Sequence, residues 1–176
     1  MTERLLLSGI LAGLLLLTAG TSPRSPAPPP GRAPADTLPD APRTVVLDQA
    51  EAPVRITAYE ADYAGTRLFR SDGIRHEVDF RNAGDRRVVA VRFAFVMYSV
   101  FNDVIDDETG VVLDPLPDGE RSDESWTHDP PDASTFHIGA AYVDKVRLAD
   151  GTIWSADDAA ISRQLDRIEA GQESTE

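Results

Sequence analysis

A strict alternation of inward-type and charged residues from Ile74 to Arg81 constrains the fold of this chain most. Ile74, His76, Val78 and Phe80 fall in one phase, and Arg75, Glu77, Asp79 and Arg81 fall in the other. Successive side chains of a β-strand point to opposite faces, so the pattern predicts a half-buried strand with a charged outer face. Period two dominates the region between Arg55 and Trp154.

Further strands are predicted on both sides of this one. Arg55–Tyr63 alternates in the same way, and Val88–Phe101 is apolar in both phases, which is typical of a central strand. Residues 135–149 form a third strong candidate, whose apolar members share one phase: Phe136, Ile138, Ala140, Tyr142, Val146 and Leu148. Asp150-Gly151 then predicts a two-residue type I′ turn into Thr152-Ile153-Trp154.

Weaker patterns complete the domain. Residues 111–113 and 120–127 are the lesser strand candidates. A helix is predicted from Ser155 as N-cap, with an apolar stripe of Ile161, Leu165 and Ile168 at helical spacing. Gly171 suits the left-handed residue that often ends a helix.

These patterns predict an all-β fold, an antiparallel immunoglobulin-like β-sandwich at 43–154. A short C-terminal amphipathic helix at 155–170 and a disordered tail at 171–176 follow it. All 12 aromatic residues lie between Tyr59 and Trp154, which places the core there. The chain has no cysteine, so packing without disulfides must hold this core together.

Two segments are predicted to precede the domain. The apolar run Leu5–Leu17 suits a secretory signal peptide at 1–20, cleaved after Gly20, because it is short for a bilayer-spanning helix. The alternative is an uncleaved anchor at 5–19. Eight of the 13 prolines fall between Pro23 and Pro42, which predicts a disordered, extended linker at 21–42. That linker is either a stalk or a mature N-terminus with no task of its own.

The strand motifs resemble a known group of domains. The motifs are 78–82 (VDFRN), 89–93 (VAVRF), Trp126 and 146–154 (VRLADGTIW). Together they are similar to bacterial exported immunoglobulin-like domains of the FxLYD and related uncharacterised kinds, over roughly residues 54–154. The chain departs from that pattern at Asn102-Asp103, where an aromatic-glycine pair is expected. The resemblance implies an extracytoplasmic β-sandwich and carries over no catalytic residue.

Catalytic and metal-binding motifs receive little support. The chain has no G-x-S-x-G elbow, phosphate-binding loop or dinucleotide fingerprint. His76-Glu77 is not a zinc motif, since Phe80 stands where the second histidine would be. His76 is expected either to fill the inner face beside Val78 or to cap the strand near its start. His128 and His137 could meet across two strands and hold zinc with Asp129, but surface histidines are the commoner explanation. Trp126 and Trp154 are expected in the core rather than on a sugar-binding face.

Negative charge is concentrated in residues 102–132, which hold 11 acids and Arg121 as the only base. With a net charge of −13, this argues against nucleic-acid binding. Part of the stretch is expected in loops at one end of the sandwich. It is the predicted interaction face for a protein or envelope partner. Asp106, Asp107 and Glu108 are weak calcium candidates, and solvated acids that protect strand edges are the favoured alternative.

The predicted function is therefore a non-enzymatic binding or structural module of the bacterial cell envelope, periplasmic or at the cell surface. No catalytic residue and no cofactor are predicted. The alternatives are an exported hydrolase and a membrane-anchored subunit of an envelope complex. Membrane contact is expected only if residues 5–19 are retained as an anchor.

Overall fold

Strands dominate the residues that the computed structural model describes, which are 41–64 and 73–172. The elements are β1 (Arg43–Val46), β2 (Val54–Tyr63), β3 (Ile74–Asn82), β4 (Val88–Ser99), β5 (Val104–Val112), β6 (Arg121–His128), a 3₁₀ turn (Ala133–Thr135), β7 (Phe136–Leu148), β8 (Ile153–Ser155) and the helix α1 (Asp158–Glu169). The predicted signal peptide, nearly all of the predicted linker and the end of the tail lie outside the described residues.

The strands form two sheets with an immunoglobulin-like order. The smaller sheet is β2-β3-β6, and the larger runs β5-β4-β7, with β8 and β1 both on the far edge of β7. In immunoglobulin lettering these are A-B-E and C′-C-F-G, and β1 is an addition. The predicted all-β sandwich is confirmed. Its pairing is antiparallel except where β1 runs parallel to β7, so the sandwich is not wholly antiparallel.

The core lies between the two sheets and is built by the predicted alternation. Val78 and Phe80 of β3 face Phe93 and Phe95 of β4, and all four are buried. The Phe80 and Phe93 ring centroids are 4.9 Å apart. The charged residues of β3 lie on its outer face, as the sequence predicts.

The helix forms a third layer on the outer face of the larger sheet. Val96 and Tyr98 of β4 pack there with Ile138 of β7, against Ile161 and Ile168 of α1. This second interface explains why β4 is apolar on both faces. The predicted central position of that strand is confirmed.

The prediction that the apolar residues of β7 share one phase is wrong. Phe136 and Val146 face the core between the sheets, whereas Ile138 and Ala140 face α1. Two register shifts against β4 separate these groups, one at Ser99 and one between Arg92 and Phe93. A β-bulge adds one residue to a strand and thereby moves the following side chains to the opposite face.

The predicted hairpin between β7 and β8 forms, but its turn differs from the prediction. Leu148 donates its N–H to Thr152 O at 2.9 Å, so the loop has three residues, Ala149 to Gly151. Gly151 has φ +88°, while Asp150 is not among the described residues with positive φ. This is a type I turn followed by a left-handed glycine, the common three-residue alternative to type I′.

The helix is capped by Asp157, not by the predicted Ser155, which belongs to β8. The Asp157 carboxylate accepts the N–H groups of Ala159 and Ala160. Gly171 has φ +66° and donates to Ile168 O, so the predicted left-handed C-terminal residue is confirmed. Within the described part of the chain, no helix has both the length and the hydropathy to cross a membrane.

Two glutamine side chains connect separate parts of the fold. Each amide forms a pair of hydrogen bonds with the N–H and C=O of one backbone residue, as a neighbouring strand would. Gln49 donates to Val143 O and accepts from Val143 N, both at 2.8 Å. Gln164 of α1 accepts from Asp48 N at 2.8 Å and donates to Asp48 O at 3.0 Å. The second pair ties the helix to the chain segment that follows β1.

We expect Gln164→Ala to destabilise the protein by about 1 kcal/mol, since it leaves both Asp48 backbone groups without their side-chain partner. Arg163→Ala, at the exposed neighbouring position, is the matched control and should change stability by less than about 0.5 kcal/mol. Urea unfolding followed by tryptophan fluorescence measures both. Equal effects of the two variants would contradict a fastening role for Gln164.

Candidate functional site

The acidic residues lie along one open side of the sandwich, formed by β5, β6 and the connecting residues 113–120. We call this the β5–β6 side. Each of the two strands is the last in its sheet. Part of the acidic stretch lies in loops, as the sequence predicts, for example Asp114 and Asp118. Asp123 and Glu124 lie within β6, where a weak strand is predicted at 120–127. By contrast, β5 begins well before the predicted 111–113 and contains Asp106, Asp107 and Glu108.

The three calcium candidates do not converge. Asp106 and Glu108 pair with Met97 and Phe95 and share their inner phase, whereas Asp107 pairs with Val96 and points to the outer face. The Asp106 carboxylate accepts the N–H of Asp107 at 2.9 Å. The described residues contain no group of three or more His, Asp or Glu side chains that could hold a metal ion.

We therefore expect millimolar calcium to leave the melting temperature unchanged, because three consecutive strand residues cannot direct their carboxylates to one ion. Thermal unfolding with and without calcium measures this. The double variant Asp106→Asn, Asp107→Asn is the control. A rise with calcium that this variant abolishes would contradict the strand geometry.

On the β5–β6 side, Trp126 of β6 points inward and packs against the core between the two sheets. Its ring lies 5.5 Å from the Phe95 ring and 5.8 Å from the Phe93 ring, between centroids. A Cβ added at Gly110 of β5 would lie 2.4 Å from Cε2 of this indole, so glycine is needed for the close approach. Trp126 and Trp154 both pack against the core as predicted, although each keeps part of its surface exposed.

Next to Trp126, the rings of His76 in β3 and His128 in β6 form a pair on the inner face of the smaller sheet. The His76 ring is fully buried and stacks on Phe95 with the centroids 4.5 Å apart. Tyr59 Oη lies 2.8 Å from His76 Nδ1 in a hydrogen bond. The His128 ring centroid is 5.3 Å from that of His76. His76 fills the inner face beside Val78, which is one of the two placements that the sequence predicts.

Burial governs the ionisation of this cluster. Desolvation by burial and, as the smaller cause, the neighbouring His128 ring lower the pKa of His76 to about 3. Burial also raises the pKa of the Tyr59 hydroxyl. Both side chains are therefore neutral over the physiological pH range. A fully buried neutral imidazole supports packing in the core.

Two ring nitrogens of the pair have no hydrogen-bond partner among the described residues, His76 Nε2 and His128 Nδ1. On the sequence, His128 is a zinc candidate together with His137 and Asp129, whereas in the structure the His128 ring lies beside His76. This contact follows from the β3–β6 register, in which Ile74 pairs with His128 and His76 pairs with Trp126. Sequence spacing alone carries no signal for that register.

A cleft of about 240 Å³ lies on the opposite side of the sandwich, between β1 and β2. Its walls include Val46, Val54 and Ile56. Two polar groups in its lining are already used within the protein, since Gln49 binds the Val143 backbone and Arg55 donates to Ala50 O.

The free edge of β5 carries exposed apolar side chains at both ends. The described residues contain six exposed large hydrophobics: Val46, Phe101, Val104, Val111, Leu113 and Ile153. Four of these six lie within β5 or within three residues of it. Phe101 and Leu113 are the most exposed, at 80% and 74%.

Comparisons with known proteins provide no functional assignment. No family model matches the sequence, and no curated protein matches it. A hypothetical protein from Peptoclostridium difficile 630 superposes at a TM-score of 0.47 and 9% identity, covering 71% of this chain and all of its own. The Northeast Structural Genomics Consortium target SoR45 superposes at a TM-score of 0.36 and 10% identity, covering 59% of this chain and 80% of its own. Both likenesses are too distant to carry an argument.

Proposed function

We propose that this chain is an exported, non-enzymatic binding or structural module of the bacterial cell envelope. Its binding face is the β5–β6 side. The observation that carries this proposal is the placement of acids and exposed apolar side chains on one open side of a filled sandwich. The apolar run Leu5–Leu17 and the resemblance to exported FxLYD-type domains support the extracytoplasmic setting.

The arrangement of reactive groups favours binding over catalysis. His76 is sealed under Phe95 and paired with Tyr59, so it is unavailable as a general base for a bound substrate. Asp107 points to the opposite face from Asp106 and Glu108, so the three acids of β5 do not converge on one substrate. One-sided negative charge instead suits electrostatic attraction of a basic partner.

Export is tested on the full chain produced in a bacterial host. We expect it in the extracytoplasmic fraction, with a mature N-terminus at Thr21 by mass spectrometry. Leu11→Arg, which interrupts the apolar run, should keep the protein in the cytoplasm. A chain that begins at Met1 and lies in the membrane fraction would show that the module is anchored rather than released. Full-length protein in the cytoplasm would contradict the proposal.

Binding is tested in the same cells with a photoreactive amino acid at Thr109 of β5 or at Glu60 of β2. Both side chains are exposed, and they lie on strands at opposite ends of different sheets. A discrete protein adduct from Thr109 supports the β5–β6 side as the binding face. An adduct from Glu60 alone would support a binding module but place its binding face on β2 instead of the β5–β6 side. No adduct from either position would contradict a binding role.

A further inference from the structure

We propose that β5 accepts an extended, basic segment of a partner protein as an additional strand of the larger sheet. This inference rests on the proposed function and names the kind of partner and its mode of binding. Strand addition to a free sheet edge uses main-chain hydrogen bonds for affinity and side chains for specificity.

The backbone of β5 is available for this pairing. Among the described residues β5 pairs with β4 alone, which leaves its other edge without a strand. The Asp107 N–H points away from β4, because it donates to the Asp106 carboxylate. Outward N–H groups recur at every second residue of an antiparallel edge strand, so Thr109 and Val111 also direct theirs outward.

Charge selects a basic partner. No lysine or arginine occurs between Arg92 and Arg121, while β5 carries three consecutive acids. A second copy of the chain paired edge to edge through β5 would bring these acids against one another, and like charges directly opposite are destabilising. A strand with lysine or arginine opposite residues 106–108 would instead be attracted.

Apolar side chains at both ends set the length of the partner strand. Val104 and Leu113 are nine positions apart, which spans about 30 Å of extended chain. Val111 and Leu113 are 52% and 74% exposed, and Val104 is 49% exposed. The matching segment is therefore about ten residues long, basic in its centre and apolar toward its ends.

Edge protection alone explains only part of this surface. Charged residues on an edge strand discourage unwanted pairing, and the acids of β5 fit that role. Exposed apolar side chains have the opposite effect, since they favour association. Their concentration around β5 is accounted for by a partner that covers them.

The test uses the purified protein in the form recovered from the export experiment and a capped peptide of about ten residues, with lysines at alternate central positions and valines toward both ends. We expect measurable binding that weakens as salt is raised. Methylating two backbone nitrogens on the peptide edge that faces β5 should reduce the affinity about tenfold, because two main-chain hydrogen bonds are lost. A glutamate peptide of the same pattern should not bind.

Thr109→Pro removes one outward N–H without touching the ladder to β4, and should weaken binding about threefold, because one main-chain hydrogen bond is lost. Its melting temperature checks the fold. The matched control is the double variant Glu60→Gln, Asp62→Asn on β2, which should bind like the original. No binding, or binding that neither methylation nor Thr109→Pro weakens, would overturn strand addition. The cellular adducts from Thr109 and Glu60 decide the proposed function independently.

Discussion

Acidification from pH 7 to pH 4 should cost the folded state roughly 3 kcal/mol through His76 alone. The pKa of this residue falls from its ordinary value of 6.5 to about 3 on burial. Between these two values the unfolded chain binds the proton and the folded protein does not. The free energy of unfolding therefore falls as the pH falls through this window, and the full contribution is present above about pH 6.5.

Urea unfolding across this pH range measures the effect, and a matched variant isolates it from the carboxylates. The double variant Tyr59→Phe, His76→Phe removes both partners of the buried hydrogen bond and keeps aromatic rings of similar shape. It should lose about 3 kcal/mol less than the original protein between pH 7 and pH 4. Parallel pH dependences of the two proteins would contradict a buried, neutral His76.

Gly110→Ala should destabilise the protein by about 2–3 kcal/mol, at the upper end of what overpacking usually costs. The new Cβ would lie 2.4, 2.6 and 2.9 Å from three carbons of the Trp126 indole. Two of these carbons form the ring fusion, so the whole indole must move, and it is packed against Phe93 and Phe95.

Chemical denaturation of a small set of variants tests this contact. Gly84→Ala is the matched control, because its Cβ would meet nothing closer than 3.6 Å. It should change stability by less than about 1 kcal/mol. In a Trp126→Leu background the cost of Gly110→Ala should shrink, which is the coupling expected of residues in contact. An unchanged cost in that background would show that the strain lies elsewhere.

The sequence predicts the parts of this fold that depend on local alternation. β3 carries its pattern without interruption, so its faces follow from the residues alone. β7 does not, because its two bulges against β4 turn the residues between them, such as Ile138 and Ala140, to the opposite face from Phe136 and Val146. The turn at Asp150-Gly151 is predicted in position, whereas its length depends on the Leu148–Thr152 pairing.

The site is less predictable for the same reason. The acidic stretch is visible in the sequence, but carboxylates are poor strand formers, and pairing with β4 overrides that preference over residues 104–112. The His76–His128 contact and the Trp126–Gly110 contact both join strands that are distant in sequence. Each depends on register and on the approach of the two sheets, which no short motif encodes.

Amide hydrogen exchange of β5 tests the binding face most directly. In the free protein, the outward N–H groups of Thr109 and Val111 should exchange rapidly, since no strand covers them. With saturating lysine peptide, both should slow by at least about tenfold, as expected for newly formed main-chain hydrogen bonds. The edge amides of β2 should be unchanged. Saturating peptide that leaves exchange at Thr109 and Val111 unaltered would contradict β5 as the binding edge.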